Sequence, residues 1–400
     1  MMRSRSLFWL APALLMVATG CQKSSTPSSS TKTTAAQPTE PAEINGMPVV
    51  HLKRAQTGDT PQFLGATILP GRGMNVFQIN AYFPGLGDFH VLHAPTLEEA
   101  NTQYFGTPSD EYGDNSFAFG GAFLVPYPNR IVGTLSPDGK TVTTYWQGHK
   151  IVLPANWHNT AHPDQNKHAM HGLILNENAS DVQVQDTSNG QVVTAEMKDA
   201  FHGQWLSKTD LHFKIALTAD AVDAQITATN VGKEAEPISM AWHPYLTIPS
   251  GQHAQARLYV PATMRALVNN YQDVFPTGKL VPVKGTRWDF TDPNGKPLDD
   301  GYLDDNWSHL KWTDGKLVVS LSDPASNYKI SEVGFSPQIR TVQVYSPPGA
   351  KFAVVEEQFN FADPFGKEWH GMDTGMAVLK PGQSVTWHVQ LQMAELNPSK

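Results

Sequence analysis

The sequence predicts an all-β protein, with many antiparallel strands packed as sheet on sheet. Three observations predict it. Period-two alternation of apolar and polar residues recurs through the body of the chain. Helical periodicity is almost absent. The 31 glycines and 30 prolines are spread along all 400 residues, which leaves long helices little room. Residues i and i+2 of a strand share a face, so such alternation marks half-buried antiparallel strands.

In chain order, "PTLEEANTQY" is the single helix candidate, with Thr96 and Glu99 spaced as a capping box. "DVQVQD" alternates Val182 and Val184 with polar residues, and "LHFKIAL" puts Leu211, Phe213, Ile215 and Leu217 on one face. "KLVVSLS" and "TVQVYS" repeat the pattern. "SVTWHVQLQM" sets Val385, Trp387, Val389, Leu391 and Met393 against Thr386, His388, Gln390 and Gln392. Turn clusters such as "SPDGK", "DPNGK", "SPPGAK" and "LKPGQS" separate the runs. No composition break or fixed-period repeat divides residues 45–400, which read as one domain.

The N-terminus reads differently. Residues 1–20 carry Arg3 and Arg5, then an apolar run, Leu7–Val17, too short to span a bilayer and typical of a signal-peptide core. Small residues Ala18-Thr19-Gly20 lead to Cys21, a junction that resembles the lipobox of bacterial lipoproteins. That resemblance implies cleavage before Cys21 and acylation of it. Cys21 is the only cysteine, so no disulfide framework and no thiolate metal site is available. The Ser/Thr/Pro-rich stretch that follows, within residues 21–44, reads as a flexible tether. The expected location is the cell envelope, lipid-anchored to a membrane and facing the periplasm or exterior. The net charge is −8 and no Lys/Arg run follows the signal, which argues against nucleic acid as a partner.

Four stretches combine polar groups with strand or turn context. In "GGAFLVPYPNRIVGT", Asn129 and Arg130 follow a Pro-Tyr-Pro turn, and the guanidinium offers a planar fork of donors for hydroxyls or a carboxylate. "HNTAHPDQNKHAMHGL" holds His158, His162, His168 and His171. Its spacing matches no tight metal-ligand motif, and His171, before Gly172, is better placed as a single hydrogen-bonding residue beside a cleft. In "GYLDDNWSHL", Asp304 and Asp305 precede Trp307: a carboxylate for sugar hydroxyls and an indole able to stack on a pyranose. In "FAVVEEQFNF", strand alternation sends Glu356 and Glu357 to opposite faces, so one of them points to core or cleft and has its pKa raised there. A fifth stretch, "ISMAWHPYLTIP", lodges His243 in an apolar strand. Taken singly, each has an ordinary structural explanation: a turn-capping arginine, a solvated turn, an edge carboxylate, a core histidine satisfied by a carbonyl.

Together, "PYPNRI", "MHG", "HPY", Asp304 with Trp307, "VVEEQ" and "VLKPGQS" occur in the order found in aldose 1-epimerases, or galactose mutarotases, and the chain resembles that family from about residue 60 to 395. The resemblance implies a large antiparallel β-sandwich with an open sugar-binding cleft. It implies His243 as general acid, Glu356 as general base, and Arg130, His171, Asp304 and Asn129 as sugar-binding residues. The chain departs from the family where Leu246 and Thr247 follow "HPY" and where Glu357, not proline, follows Glu356; Gln358 favours Glu356 as the base. The segment "VLHAPTLEEANTQYFGTPSDEYGDNS" lengthens the chain ahead of the first motif.

The expected activity is interconversion of the α and β anomers of free aldohexoses. One acid and one base are sufficient for it, both with pKa values near neutrality, and no metal or redox cofactor is required. The competing readings are a carbohydrate-binding lipoprotein without chemistry, and a related-fold enzyme acting on a modified sugar or glycoside. A hydrolase would need a second carboxylate opposite Glu356, for which Asp304 is the visible candidate.

Overall fold

The computed structural model describes residues 40–104, 107–157 and 167–397. The expected signal segment, Cys21, the tether up to residue 39, and His158 and His162 lie outside the described residues. From Glu40 onward the chain forms one compact unit. Among the described residues no helix is long and apolar enough to cross a membrane.

Strands dominate, and every strand pairing is antiparallel. Two large sheets carry the architecture. The nine-stranded sheet contains Ser180–Thr187, Gly190–Met197, Thr209–Thr218, Ala221–Asn230, Ser384–Glu395, Tyr328–Gly334 and Leu317–Asp323, with two short strands at one edge. The seven-stranded sheet holds, in chain order, β1 (Gly121–Leu124), β2 (Ala241–Thr247), β3 (Ala262–Val268), β4 (Pro276–Pro282), β5 (Leu303–Leu310), β6 (Thr341–Ser346) and β7 (Phe352–Gln358). Its spatial order is β4-β3-β5-β6-β7-β2-β1. A four-stranded sheet, Val50–Lys53 to Gly87–His90, adds to the same core.

The predicted alternation places the core. Leu211, Phe213, Ile215 and Leu217 are all buried, as are Val385, Trp387, Val389 and Leu391. From the facing sheet, Phe123 of β1 comes within 5.9 Å of Phe213 and 6.2 Å of Trp387, and Trp387 Nε1 donates to the Glu357 carbonyl at 2.9 Å. The two sheets therefore pack face to face over an apolar layer.

One alternating run departs from expectation. Ser180–Thr187 forms a strand but is outermost in its sheet, with a register shift between Ser180 and Gln183. Val184 remains 46% exposed. An edge strand can carry the period of two without a layer to cover it.

The helix candidate forms as α1 (Leu97–Gln103), and its capping box is complete. Glu99 N–H donates to Thr96 Oγ1 at 3.2 Å, and Thr96 N–H donates to Glu99 Oε2 at 2.9 Å. After it comes α2 (Asn115–Ala118). Buried Arg72 ties this segment to the body of the fold. It forks onto Asp110 at 2.9 and 2.7 Å and donates to Ser116 Oγ at 2.7 Å, and Ser116 Oγ donates to the Leu175 carbonyl at 2.6 Å. The segment is thus fixed by charge-assisted bonds of the strong, bidentate kind.

Candidate active site

The outer face of the seven-stranded sheet floors a cleft of about 360 Å³. Register decides what it presents. Gln343 of β6 pairs with Glu356 of β7, Asp304 of β5 with Tyr345 of β6, and Tyr245 of β2 with Val354 of β7. With a period of two, Asp304, Gln343, Glu356, His243 and Tyr245 share the cleft face. Trp242, Val344 and Glu357 turn to the sandwich core.

His243 and Glu356 meet there. His243 Nε2 lies 3.5 Å from Glu356 Oε1, with the two side chains 6% and 2% exposed. Gln358 Nε2 donates to Glu356 Oε2 at 2.7 Å. Burial pushes the Glu356 carboxyl up to about 8, against the lowering effect of the Gln358 bond. Burial also drives His243 down to about 3, with the Arg130 charge acting in the same direction. The expectation of two pKa values near neutrality therefore fails for His243. The ring has no solvent to support its charge, and desolvation disfavours the charged form of acid and base alike.

Asn129, Arg130, Asp304 and Gln343 form a closed ring of hydrogen bonds beside this pair. Arg130 Nη2 donates to Asp304 Oδ2 at 3.0 Å, and Arg130 Nη1 to Asn129 Oδ1 at 3.0 Å. Asn129 Nδ2 donates to Gln343 Oε1 at 3.0 Å, and Gln343 Nε2 to Asp304 Oδ1 at 2.7 Å. Among the described residues the buried Arg130 Nε has no acceptor.

His171 follows Ala169–Met170, which pairs with Arg130–Ile131, and its ring lies 4.9 Å from that of His243. Its backbone N–H donates to the Asn129 carbonyl at 3.0 Å, and its Nδ1 accepts from the Asn129 N–H at 3.3 Å. That acceptor role leaves the proton of the neutral ring on Nε2. Burial, followed by the charges of neighbouring groups, holds the ring well below its ordinary pKa. Asn129 and His171 both have left-handed φ, +63° and +62°, which for histidine is uncommon and strained. Gly172 follows at φ +87°, where a Cβ would sit 2.3 Å from the Val125 carbonyl oxygen. The "MHG" stretch is glycine-terminated for this reason.

All six sequence-predicted residues of the folded part thus line one cleft. The stacking role expected of Trp307 is corrected. Trp307 is fully buried, with its Nε1 donating to the Trp288 carbonyl at 3.0 Å. It stands three residues after Asp304 in β5, hence on the opposite face, and offers no stacking surface to the cleft. Asp305 also turns away and pairs with Arg265. His168 packs edge-on to Phe275 at 5.1 Å and is not among the cleft residues. Among the described residues no group of three or more His, Cys, Asp or Glu side chains is arranged to hold a metal ion.

Sequence reasoning missed Gln343, which closes the polar ring; its signal was the polar face of "TVQVYS". It also missed Phe117 of α2, whose ring lies 4.8 Å from His171 and 6.0 Å from His243. Phe117 directly follows the lengthening segment, which itself contributes no residue to the described lining of the cleft.

Comparison with known proteins agrees with this architecture. No curated protein sequence matches the chain. Among solved structures, a galactose mutarotase-like protein from Clostridium acetobutylicum aligns with a TM-score of 0.65 at 17% identity, covering 87% of this chain and 99% of its own. An aldose epimerase homologue from C. elegans aligns at 0.58 and 17%, covering 86% and 100%. A galactose 1-epimerase from Lactobacillus acidophilus aligns at 0.57 and 14%, covering 87% and 98%. At such identity these likenesses establish the galactose mutarotase-like β-sandwich fold. The aldose 1-epimerase family model matches residues 92–392, about three-quarters of the sequence, and the chain belongs to the aldose 1-epimerase family.

Proposed function

We propose that this protein is a mutarotase that interconverts the α and β anomers of free aldohexoses. The observation that carries the reading is the His243–Glu356 pair, 3.5 Å apart and buried beside a ring of hydroxyl-binding groups.

Glu356 takes the proton of the C1 hydroxyl while His243 protonates the ring oxygen. The C1–O5 bond breaks, C1 becomes an aldehyde carbon, and O5 becomes a hydroxyl. After rotation about C1–C2, His243 takes the proton back from O5, the C1–O5 bond re-forms on the other face, and Glu356 returns its proton to O1. Protons and electrons balance, and the sugar leaves with only C1 inverted. Arg130, Asp304, Asn129 and the Nε2–H of His171 supply donors and acceptors that orient the ring.

The pair needs one proton in total. With His243 held down to about 3 and Glu356 up to about 8, it carries one across neutral pH. Burial favours the neutral forms, with the proton on Glu356, and its transfer to His243 gives the working imidazolium and carboxylate. Gln358 on Oε2 and the nearby Arg130 charge favour the carboxylate once it forms.

The same reading keeps the N-terminal assignment: acylation of Cys21 tethers the domain to a membrane surface outside the cytoplasm. A globomycin-sensitive mobility shift, lost in Cys21→Ser, tests it. For the reaction, optical rotation of fresh α-D-glucose and α-D-galactose is followed with the wild type, His243→Asn and Glu356→Gln. Acceleration that both variants lose supports the assignment; no acceleration with any free aldose refutes it.

A further inference from the structure

The polar groups occupy only part of the cleft. Elsewhere the lining is mostly aromatic and apolar, and one part of it is an array of tyrosines. On the cleft face Tyr345 is the pairing partner of Asp304 across β5 and β6. Tyr302 lies two positions before Asp304, just outside β5, and lines the same cleft. Tyr271 reaches over from the β3–β4 hairpin. The rings meet edge to face, Tyr271 to Tyr302 at 5.3 Å and Tyr302 to Tyr345 at 6.1 Å. All three are half-buried and line the cleft.

This platform is held in place from behind. The Tyr271 hydroxyl lies 3.0 and 2.8 Å from the two oxygens of buried Asp305. Arg287 Nη2 donates to the Tyr271 hydroxyl at 3.2 Å and to the Tyr302 carbonyl at 3.1 Å. Arg287 and Arg265 both lie over the Trp288 ring, at 4.4 and 3.8 Å, and Trp288 Nε1 donates to Asp305 at 3.2 Å. Aromatic rings fixed by such a network and left open to a cleft form a preorganised surface for a ligand with a flat apolar face and a polar rim.

Position tells which part of a ligand arrives there. The reacting carbon must sit at His243 and Glu356. The ring that bears it spans toward Arg130 and Asp304. Tyr345 of β6 stands beside Asp304, and Tyr302 lies two residues before Asp304, so a ligand that extends from His243 and Glu356 past Asp304 meets the tyrosines. Among the described cleft residues Arg130 is the only lysine or arginine, and it is already committed to Asp304, so the platform suits a neutral group rather than a phosphate.

We propose that Tyr302, Tyr271 and Tyr345 form a second subsite for a neutral glycosyl unit, and that the preferred substrates are reducing disaccharides. The proposal rests on the mutarotase reading and names its substrate class. The anomeric carbon of the reducing unit reacts, and the second ring stacks on the tyrosines.

The test is polarimetric. Fresh α-lactose, β-maltose and β-cellobiose are compared with α-glucose and α-galactose, using the wild type, Tyr302→Ala, Tyr302→Phe and Tyr271→Ala, each first checked for an unchanged melting transition. The expected result is a kcat/KM for at least one disaccharide about five- to tenfold above the best monosaccharide, the size of one aromatic stacking contact. Tyr302→Ala should lose that preference through KM, and Tyr302→Phe should keep it. If Tyr302→Ala does not fold, Tyr271→Ala carries the same comparison. Disaccharides no better than monosaccharides, or a Tyr302→Ala variant that weakens all sugars equally, overturns the subsite. If the wild type accelerates no sugar, the mutarotase reading fails by itself. Calorimetric titration then decides the subsite: cellobiose binding more tightly than glucose supports it, and equal affinities overturn it.

Discussion

Replacing Glu356 by glutamine should abolish activity and stabilise the fold, by an amount that grows with pH. The folded-state pKa of Glu356 is raised from 4.5 to about 8 by burial. A raised carboxyl favours the folded state in its protonated form. Its contribution is therefore intact below about pH 4.5 and is lost as pH rises through 8. The displacement is worth roughly 4–5 kcal/mol at 1.36 kcal/mol per pH unit, of which about 2 kcal/mol is already lost at pH 6. Glutamine is neutral throughout, is nearly the same size, and keeps an oxygen to accept from Gln358 Nε2. The difference in melting temperature between Glu356→Gln and wild type, by calorimetry at pH 4.5, 6, 7.5 and 9, should start near zero and rise to a plateau above pH 8. Glu357→Gln is the control. That carboxyl is also fully buried and raised by burial, but it faces the core, so its variant should gain alkaline stability and keep activity. A Glu356→Gln effect independent of pH, or a loss of stability at pH 9, would refute the reasoning.

Further outcomes follow from the same geometry. The pH profile of kcat/KM should be bell-shaped with an alkaline limb near 8: above it the pair loses its only proton and has no acid, and far below it, toward pH 3, the pair gains a second proton and has no base. Polarimetry corrected for buffer catalysis reads this, and a profile flat to pH 10 would contradict it. Gln343→Ala opens the ring joining Asn129 to Asp304; KM should rise about tenfold or more, with a smaller change in kcat, as expected for hydrogen bonds to a charged group. Gly172→Ala forces a Cβ against the Val125 carbonyl at left-handed φ; a loss of about 2–4 kcal/mol is expected, read as a lowered melting temperature.

The period of two made much of this legible. It separates Glu356 from Glu357, marks the core faces of Thr209–Thr218 and Ser384–Glu395, and predicts the sheets. The capping box at Thr96 and Glu99 was equally readable, because both partners lie within one turn. What sequence did not show depends on register between distant strands. Gln343 faces Glu356 only because β6 pairs with β7 in one alignment. Trp307 shows the cost of misreading an element. In a turn, Asp304 and Trp307 can point the same way, but in β5 a spacing of three sends them to opposite faces. Local pattern likewise did not reveal that both glutamates would be buried. The face opposite the cleft is the inside of the sandwich, so Glu357 lands in the core.

The burial that costs stability at Glu356 is also what equips the pair for neutral pH. At their ordinary values of 4.5 and 6.5, a solvated Glu–His pair would hold one proton only between those pH values. At pH 7 most copies would be carboxylate with neutral imidazole, a base without an acid. Burial lowers the histidine and raises the glutamate, so the one-proton window widens to between about 3 and about 8, with that proton resting on Glu356 until it passes to His243. Mutarotation consumes no net proton and needs that one proton to change hosts twice. A buried, closely spaced pair keeps it within reach of both groups. Burying the pair therefore does more than strengthen hydrogen bonds to the sugar. It sets the proton count of the acid–base pair, and stability at alkaline pH is what the fold gives up in return.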